Sequence, residues 1–148
     1  MARSANRQRQ ARKAAKAPVA AHALVLDAEG LSKTAEGDPR TVAWIVRARE
    51  LNLPVVLNAV SLAETLRGAR RAAHIHLLVR NAHIENVDPA LAMEAGELLG
   101  RTKRDDTIDA LVAVTVIRLD RPVIILTSDP DDLSALTADH DAIDVVAI

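Results

Sequence analysis

Short apolar runs of strand length alternate along this chain with segments of helical periodicity, and this alternation constrains the fold most. Five runs are interpreted as β-strands because they are aliphatic and bounded by turn signals, at residues 23–26, 54–57, 83–87, 123–126 and 143–147. Strands that alternate with helices form βα units around a parallel sheet. Continuous apolar strands indicate that helices cover both faces. The sequence therefore predicts a three-layer α/β/α domain with a mainly parallel sheet of about five strands.

Several helix starts and one long helix are visible in the pattern. Aspartate followed by proline predicts starts at Asp38, Asp88 and Asp129, because Asp caps a helix and Pro suits its first position. Another helix is predicted to begin at Ser61. Residues 108–119 follow the i, i+3, i+4, i+7 spacing of an amphipathic helix most regularly.

The helix after Asp38 contains the chain's one aromatic residue. Val42, Ile45 and Val46 are predicted to form its inner stripe, and Trp44 flanks that stripe. Two interpretations of Trp44 stay open. It is either a partly buried packing residue or a contact at a protein interface, where Trp is enriched.

Charge divides the chain into two parts. Residues 1–16 hold six basic and no acidic residues, whereas the rest holds 13 basic and 20 acidic residues, a net charge of −7. We expect residues 1–20 to form a basic, disordered arm, either a solvated tail or an electrostatic contact to nucleic acid, and residues 21–148 to form one domain. No apolar run approaches the ~20 residues of a membrane span, and the arm lacks a signal-peptide core. A cytoplasmic location without a membrane partner is predicted.

Composition excludes several function classes. The absence of cysteine excludes disulfide frameworks, thiolate zinc sites and cysteine nucleophiles. With no Phe or Tyr, folds that stack bases on aromatic rows are excluded. Neither G-x-G-x-x-G nor G-x-x-x-x-G-K-[ST] occurs, which argues against nucleotide-cofactor and P-loop functions. The five histidines lack zinc-like spacing and are interpreted as structural or surface residues.

Acidic residues recur where the predicted strands end. Asp27 follows the first strand, Glu64 lies in the helix after the second, Asp109 lies on the long helix just after Asp106, and Asp129 follows the fourth strand. Ligands of open parallel sheets bind beyond the carboxyl ends of the strands. Carboxylates that converge there repel one another unless a cation lies among them, and Mg²⁺ and Mn²⁺ prefer such oxygen ligands. This pattern favours metal-assisted hydrolysis at phosphate.

Each of these acids also has a structural explanation. Glu64 lies three residues after Ser61, as in a capping box. Asp106 and Asp129 suit helix N-caps, and Asp27 suits a turn. No helix is predicted directly after Asp27, however, so this residue has no obvious local partner.

Four segments of the chain together resemble the PIN-domain ribonucleases, and especially the VapC-type toxins of bacterial toxin–antitoxin pairs. In chain order they are V-L-D-A-E-G-L, S-L-A-E-T-L-R-G, T-I-D-A-L-V-A and L-T-S-D-P-D-D-L. The resemblance covers residues 23–148 and leaves the arm outside. It implies a parallel sheet with helices on both sides, one acidic pocket, and divalent-metal hydrolysis of RNA phosphodiester bonds.

The resemblance also assigns roles by position. It makes Asp27, Glu64, Asp109 and Asp129 the catalytic and metal-site acids. Asp106 is a further carboxylate, ranked lower because many relatives lack an acid there, and Thr127 matches a hydroxyl position near the last acid. The implied cofactor is Mg²⁺ or Mn²⁺. The implied partners are an RNA substrate, a small antitoxin that covers the pocket, and a second copy in a homodimer.

An RNA substrate also needs positive charge near these acids. Arg67, Arg70 and Arg104 lie near the helices that carry them and are candidate phosphate contacts. A solvated surface explains the same charges equally well.

Two other functions compete. The run L-V-L-D-A-E-G resembles the D-x-D-G signature of haloacid-dehalogenase-like phosphatases, but Glu29 replaces the second Asp and Asn58 stands where Ser or Thr is expected. The third possibility is a PIN-like fold kept for binding alone, which would not require all four acids.

Overall fold

The computed structural model describes residues 21–67, 70 and 72–148, so the arm predicted at residues 1–20 lies outside the described residues. The strands are β1 (Ala23–Leu26), β2 (Val55–Asn58), β3 (His83–Glu85), β4 (Val123–Thr127) and β5 (Ile143–Ala147). The helices are α1 (Ala28–Glu36), α2 (Pro39–Glu50), α3 (Ala59–Leu66), α4 (Ala72–Arg80), α5 (Pro89–Thr102), α6 (Thr107–Arg118) and α7 (Pro130–Leu136).

The described strands form one parallel sheet in the order β3-β2-β1-β4-β5. The chain moves outward from β1 to β2 and β3, and then crosses to β4 on the other side of β1. Such a reversal of strand order opens a crevice at the carboxyl ends of the two strands that flank it. The crevice of this sheet therefore lies where β1 and β4 end.

Separate apolar layers cover the two faces of the sheet, which confirms the predicted three-layer α/β architecture. Ala23 and Val25 of β1 pack into the layer under α5, α6 and α7, whereas Leu24 and Leu26 pack into the layer with α1, α2 and α4. All four side chains are at most 1% exposed. A polar side chain that directly follows β1 therefore enters surroundings where ionisation is costly.

The start of α2 confirms the prediction at Asp38, but its inner face is rotated relative to the predicted stripe. Ile45 is buried as expected, whereas Val42 and Val46 are 37% and 47% exposed, and Thr41 is fully buried instead. Thr41 tolerates burial because its hydroxyl donates to the backbone oxygen of Asp38 at 3.0 Å. Trp44, which precedes Ile45, is partly buried and packs against the apolar layer of this face.

Other predicted starts are also found. Asp88 caps α5 by accepting a hydrogen bond from the Leu91 N–H at 2.7 Å, and the helix predicted at residues 108–119 is α6. The amphipathic pattern predicted for this helix is wrong, because residues 110–116 are all buried. Among the described residues, no helix combines the length and apolarity that crossing a bilayer requires.

Candidate active site at the carboxyl edge of the sheet

Asp27 follows β1 directly and is buried, with 8% of its surface exposed. The expectation that no helix begins directly after it is wrong, because α1 starts at Ala28 and Asp27 is its N-cap. Its Oδ1 accepts a hydrogen bond from the backbone N–H of Gly30 at 2.7 Å. The side chain therefore does have a local partner, and its position is fixed by the start of α1.

Gly30 allows this helix start to approach the sheet. A Cβ atom at Gly30 would lie 2.9 Å from the carbonyl oxygen of Leu126 and 3.3 Å from Asp27 Oδ1. The first distance is shorter than side chains normally tolerate, and its other atom belongs to the backbone of β4. The glycine in L-V-L-D-A-E-G is thus a packing requirement of the site.

Thr127, at the end of β4, connects the ends of the two central strands. Its buried hydroxyl hydrogen-bonds the carboxylate of Asp27, and the same oxygen accepts the backbone N–H of Asp129 at 3.0 Å. The side chain of Asp129 is exposed and makes no capping hydrogen bond to α7. The structural explanation of Asp129 as an N-cap is therefore not observed.

Helix α3 begins two residues earlier than predicted, at Ala59. Asn58 caps it, because its Oδ1 accepts the N–H of Val60 at 2.8 Å. Ser61 is consequently the third helical residue rather than the cap. The proposed capping box between Ser61 and Glu64 is not formed.

Glu64 is exposed on α3 and faces the same region as Asp27. Its charge is one of the causes that raise the pKa of Asp27, although burial is the largest cause. Two hydrogen bonds position the helix: Thr65 Oγ1 donates to the carbonyl of Ala28 at 3.1 Å, and Asn58 Nδ2 donates to Thr115 Oγ1 on α6 at 2.6 Å. Helix α3 is thereby tied to α1, which Asp27 caps, and to α6, whose first turn carries Asp109.

Asp109 lies half-buried in the first turn of α6. Burial raises its pKa from 3.8 to about 7, with further contributions from the charges of Asp106, Asp27, Asp132 and Asp129 in that order. Electrostatic repulsion therefore links Asp109 to three of the other predicted acids, Asp106, Asp27 and Asp129. Near neutral pH this carboxyl holds a proton for about half of the time.

Asp106 contributes to the site mainly as the cap of α6. Its Oδ1 accepts the backbone N–H of Asp109 at 3.0 Å, and its side chain is exposed. Its structural explanation is thus observed, although its charge still acts on Asp109.

The predicted acids are suitable ligands for a hard divalent cation, but their side chains do not surround one common position. All the donors are carboxylate oxygens, and two of the carboxyls resist ionisation when no cation is near. Within residues 21–67, 70 and 72–148, however, no three acidic or histidine side chains lie close enough together to hold an ion as they stand. Ion binding would therefore require these side chains to draw together.

The candidate phosphate-contacting arginines differ in their surroundings. Arg104 Nη1 is ion-paired with Asp132, a residue that the sequence analysis did not select. Its position in L-T-S-D-P-D-D-L, one turn after Asp129, was the available signal. Arg67 and Arg70 are exposed beside the end of α3.

A separate cavity of about 400 Å³ lies near the other end of α6. Its lining includes Glu85, Asp88 and Arg118 but none of the acids predicted from the sequence. Arg118 is already paired with Glu94 at 2.8 Å and lies 3.6 Å from Asp88. We therefore place the candidate active site at the acidic edge of the sheet.

An open parallel sheet with carboxylates at its switch point defines an α/β protein with an acidic candidate site. The family model described as PIN domain matches residues 24–142, so this chain belongs to the PIN-domain family. PIN-domain proteins are nucleases and generally use divalent metal ions.

Solved structures share the fold at low sequence identity. VapBC2 from Rickettsia felis, bound to a DNA fragment from its promoter, matches with a TM-score of 0.65 and 12% identity over 84% of this chain and 98% of that chain. VapBC-1 from nontypeable Haemophilus influenzae matches with a TM-score of 0.62 and 16% identity over 84% of this chain and 96% of that chain. FitAcB from Neisseria gonorrhoeae matches with a TM-score of 0.56 and 17% identity over 82% of this chain and 95% of that chain. Among curated proteins, none matches this chain significantly.

Proposed function

We propose that this chain is a metal-dependent endoribonuclease that acts as the toxin of a toxin–antitoxin pair. The observation that carries the proposal is the gathering of Asp27, Asp109 and Asp129, with Glu64 beside them, at the switch point of a PIN-domain sheet. Few structural roles explain why a chain would place in this crevice carboxylates whose charges raise the pKa of Asp27 and of Asp109.

The proposed ligands of Mg²⁺ or Mn²⁺ are these four acids. When bound, such an ion activates water and stabilises charge on phosphate oxygens. The residues of the chain support it in different ways. Thr127 and the Gly30 N–H orient the carboxylate of Asp27. Asp109 must lose its proton to serve as a ligand, so ion binding should release protons near neutral pH.

RNA as the substrate rests on the motif resemblance and on nearby positive charge. Arg67 and Arg70 are exposed beside the helix that carries Glu64 and are proposed to contact phosphates. Arg104 would first have to leave Asp132, so we assign it a smaller contribution. The haloacid-dehalogenase-like phosphatase alternative expects Ser or Thr where this chain has Asn58. Asn58 is 1% exposed and is occupied in capping α3, which argues against this alternative.

The proposed partners follow from the structural neighbours. VapBC and FitAcB are complexes of a toxin with its antitoxin, and this chain shares the fold of those structures. We propose a small antitoxin as its partner, homodimer formation, and a cytoplasmic location. Co-expression with the product of a neighbouring small gene, followed by size-exclusion chromatography, tests the first two of these proposals.

The activity is tested by cleavage of a structured RNA and of single-stranded DNA with Mg²⁺, with Mn²⁺, and with chelator. We expect RNA to be cut only when the ion is present, and Asp27→Asn and Glu64→Gln to remove the activity. Undiminished cleavage by both variants would reject the assignment. Ion binding without cleavage of any nucleic acid would instead favour a PIN fold kept for binding.

A further inference from the structure

A polar stripe on helix α3 connects α6 and α1, two of the helices that begin at site acids. Asn58, Ser61 and Thr65 are spaced i, i+3 and i+7 and therefore lie on one side of the helix. At one end of the stripe, Asn58 donates to Thr115 on α6, and at the other end Thr65 donates to the carbonyl of Ala28 in α1. The stripe thus runs from α6 to α1.

The middle residue of this stripe lacks a partner. Ser61 is 0% exposed, and among the described residues its Oγ is the one buried side-chain nitrogen or oxygen without a hydrogen bond. Three other buried hydroxyls, those of Thr34, Thr115 and Thr137, donate to the carbonyl four residues earlier at 2.7–2.8 Å. Ser61 is only the third residue of α3, so the residue four before it lies in β2 rather than in a helix.

An unpartnered buried hydroxyl is costly, and it commonly marks the place of an ordered water. Glu64 follows Ser61 by about one helical turn and acts electrostatically on Asp27. The orphaned hydroxyl therefore lies about one helical turn before one proposed ion ligand, which itself acts on a second, Asp27. Mg²⁺ usually keeps several waters when a protein binds it.

We propose that Ser61 is a positioning residue of the acidic site, whose hydroxyl hydrogen-bonds a water from the hydration shell of the divalent ion. This inference rests on the proposed metal-dependent function. Groups that support metal ligands from outside typically change affinity or activity by about 10–100-fold. The hydroxyl then serves the ion site at a cost to the stability of the ion-free protein.

The test is calorimetric titration of the full chain with Mn²⁺, comparing wild type, Ser61→Ala and the control Thr137→Val. Thr137 is buried too, but its hydroxyl is satisfied by the carbonyl of Leu133. We expect Ser61→Ala to bind Mn²⁺ about 10-fold more weakly and the control to stay within about twofold of wild type. In chelator, Ser61→Ala should melt at the same temperature as wild type or higher, because it removes an unpartnered polar atom.

Each outcome bears on a distinct claim. Equal Mn²⁺ affinity in wild type and Ser61→Ala would overturn the role of Ser61. A wild type that binds no Mn²⁺ would overturn both this role and the metal dependence. Weakened binding in Ser61→Ala without nuclease activity in the wild type would support Ser61 and reject the nuclease. Ser61→Cys keeps the size with a weaker donor and serves the same comparison if the alanine variant does not fold.

Discussion

The starts of α1 and α2 have the same local structure but opposite electrostatics. At each start an aspartate accepts the N–H three residues on, from Gly30 to Asp27 at 2.7 Å and from Thr41 to Asp38 at 3.0 Å. The hydrogen bonds from Thr41 lower the pKa of Asp38. Burial raises the pKa of Asp27, even though Thr127 and Gly30 hydrogen-bond its carboxylate.

The difference lies in what surrounds each cap. Asp38 caps a helix at a partly exposed turn, where a carboxylate stabilises the first turn at little cost of desolvation. Asp27 caps its helix at the dry end of a central strand, among other acids. A cap alone does not require a carboxylate in such a place, since Asn or Ser would cap as well. The comparison therefore separates a structural aspartate, Asp38, from Asp27, the aspartate that we propose to be functional.

The largest expected difference is in catalysis. Asp27→Asn keeps a capping oxygen but removes the charge, and it should slow RNA cleavage by more than about 100-fold, the upper range for groups that only support metal ligands. Asp38→Asn should stay within about twofold of wild type. Single-turnover cleavage with Mn²⁺ measures both rates, and equal slowing of the two variants would remove the distinction.

A glycine pair tests how tightly the start of α1 is packed. Gly30→Ala should destabilise the fold by about 1–3 kcal/mol, because the new Cβ meets the Leu126 carbonyl. Gly96→Ala, inside α5 with open space around it, should stabilise by about 0.5–1 kcal/mol. Urea unfolding measures both free energies. A stabilising Gly30→Ala would show that α1 does not need this close approach.

The acidic site should also make stability depend on pH. The folded protein binds the Asp109 proton more tightly than the unfolded chain, because the pKa is raised from 3.8 to about 7. The contribution of this carboxyl to the free energy of unfolding is therefore complete below about pH 4 and is lost as the pH rises to about 7. In chelator, Asp109→Asn should flatten this decline, while Asp38→Asn should retain it. Thermal unfolding across the window measures the slope, and an unchanged slope in Asp109→Asn would contradict the assignment.

The smallest expected effect is on the melting temperature at neutral pH. Removing the charge of Asp27 relieves an unfavourable ionisation, so Asp27→Asn should melt slightly higher than wild type in chelator. The ionisation of Asp38 is favourable in the folded protein, so Asp38→Asn, which removes this charge, should melt at a slightly lower temperature than wild type. Differential scanning calorimetry measures both shifts. Two shifts of the same sign would show that the charges of Asp27 and Asp38 act on stability in the same direction.

Most of the fold could be predicted from periodicity, whereas helix α1 could not. Strands β1, β2, β4 and β5 and helix α6 carry aliphatic patterns, whereas β3 carries only a weak one. Helix α1 does not, because its buried face consists of Gly30, Leu31, Thr34 and Ala35, with one large apolar side chain among them. Thr34 is buried only because its hydroxyl donates to the Gly30 carbonyl, which periodicity does not register.

The candidate site, like the fold, could be predicted from the sequence only in part. The gathering of acids at strand ends follows from parallel topology, and this is why Asp27 and Asp129 could be selected from the sequence, whereas Asp109 lies on a helix and was selected by the motif resemblance. Which acids cap helices depends on side-chain rotamers: Asp106 does cap, whereas Asp129 does not. The orphaned hydroxyl of Ser61 depends on where α3 begins, two residues before the predicted start.

The most direct test of the acidic edge as an ion site is Mn²⁺ titration of wild type, Asp27→Asn and Asp38→Asn by calorimetry at pH 7.5. We expect wild type and Asp38→Asn to bind with similar affinity and to release protons, and Asp27→Asn to bind at least about 10-fold more weakly. Equal binding by all three proteins would place any ion elsewhere and contradict the assignment of this site.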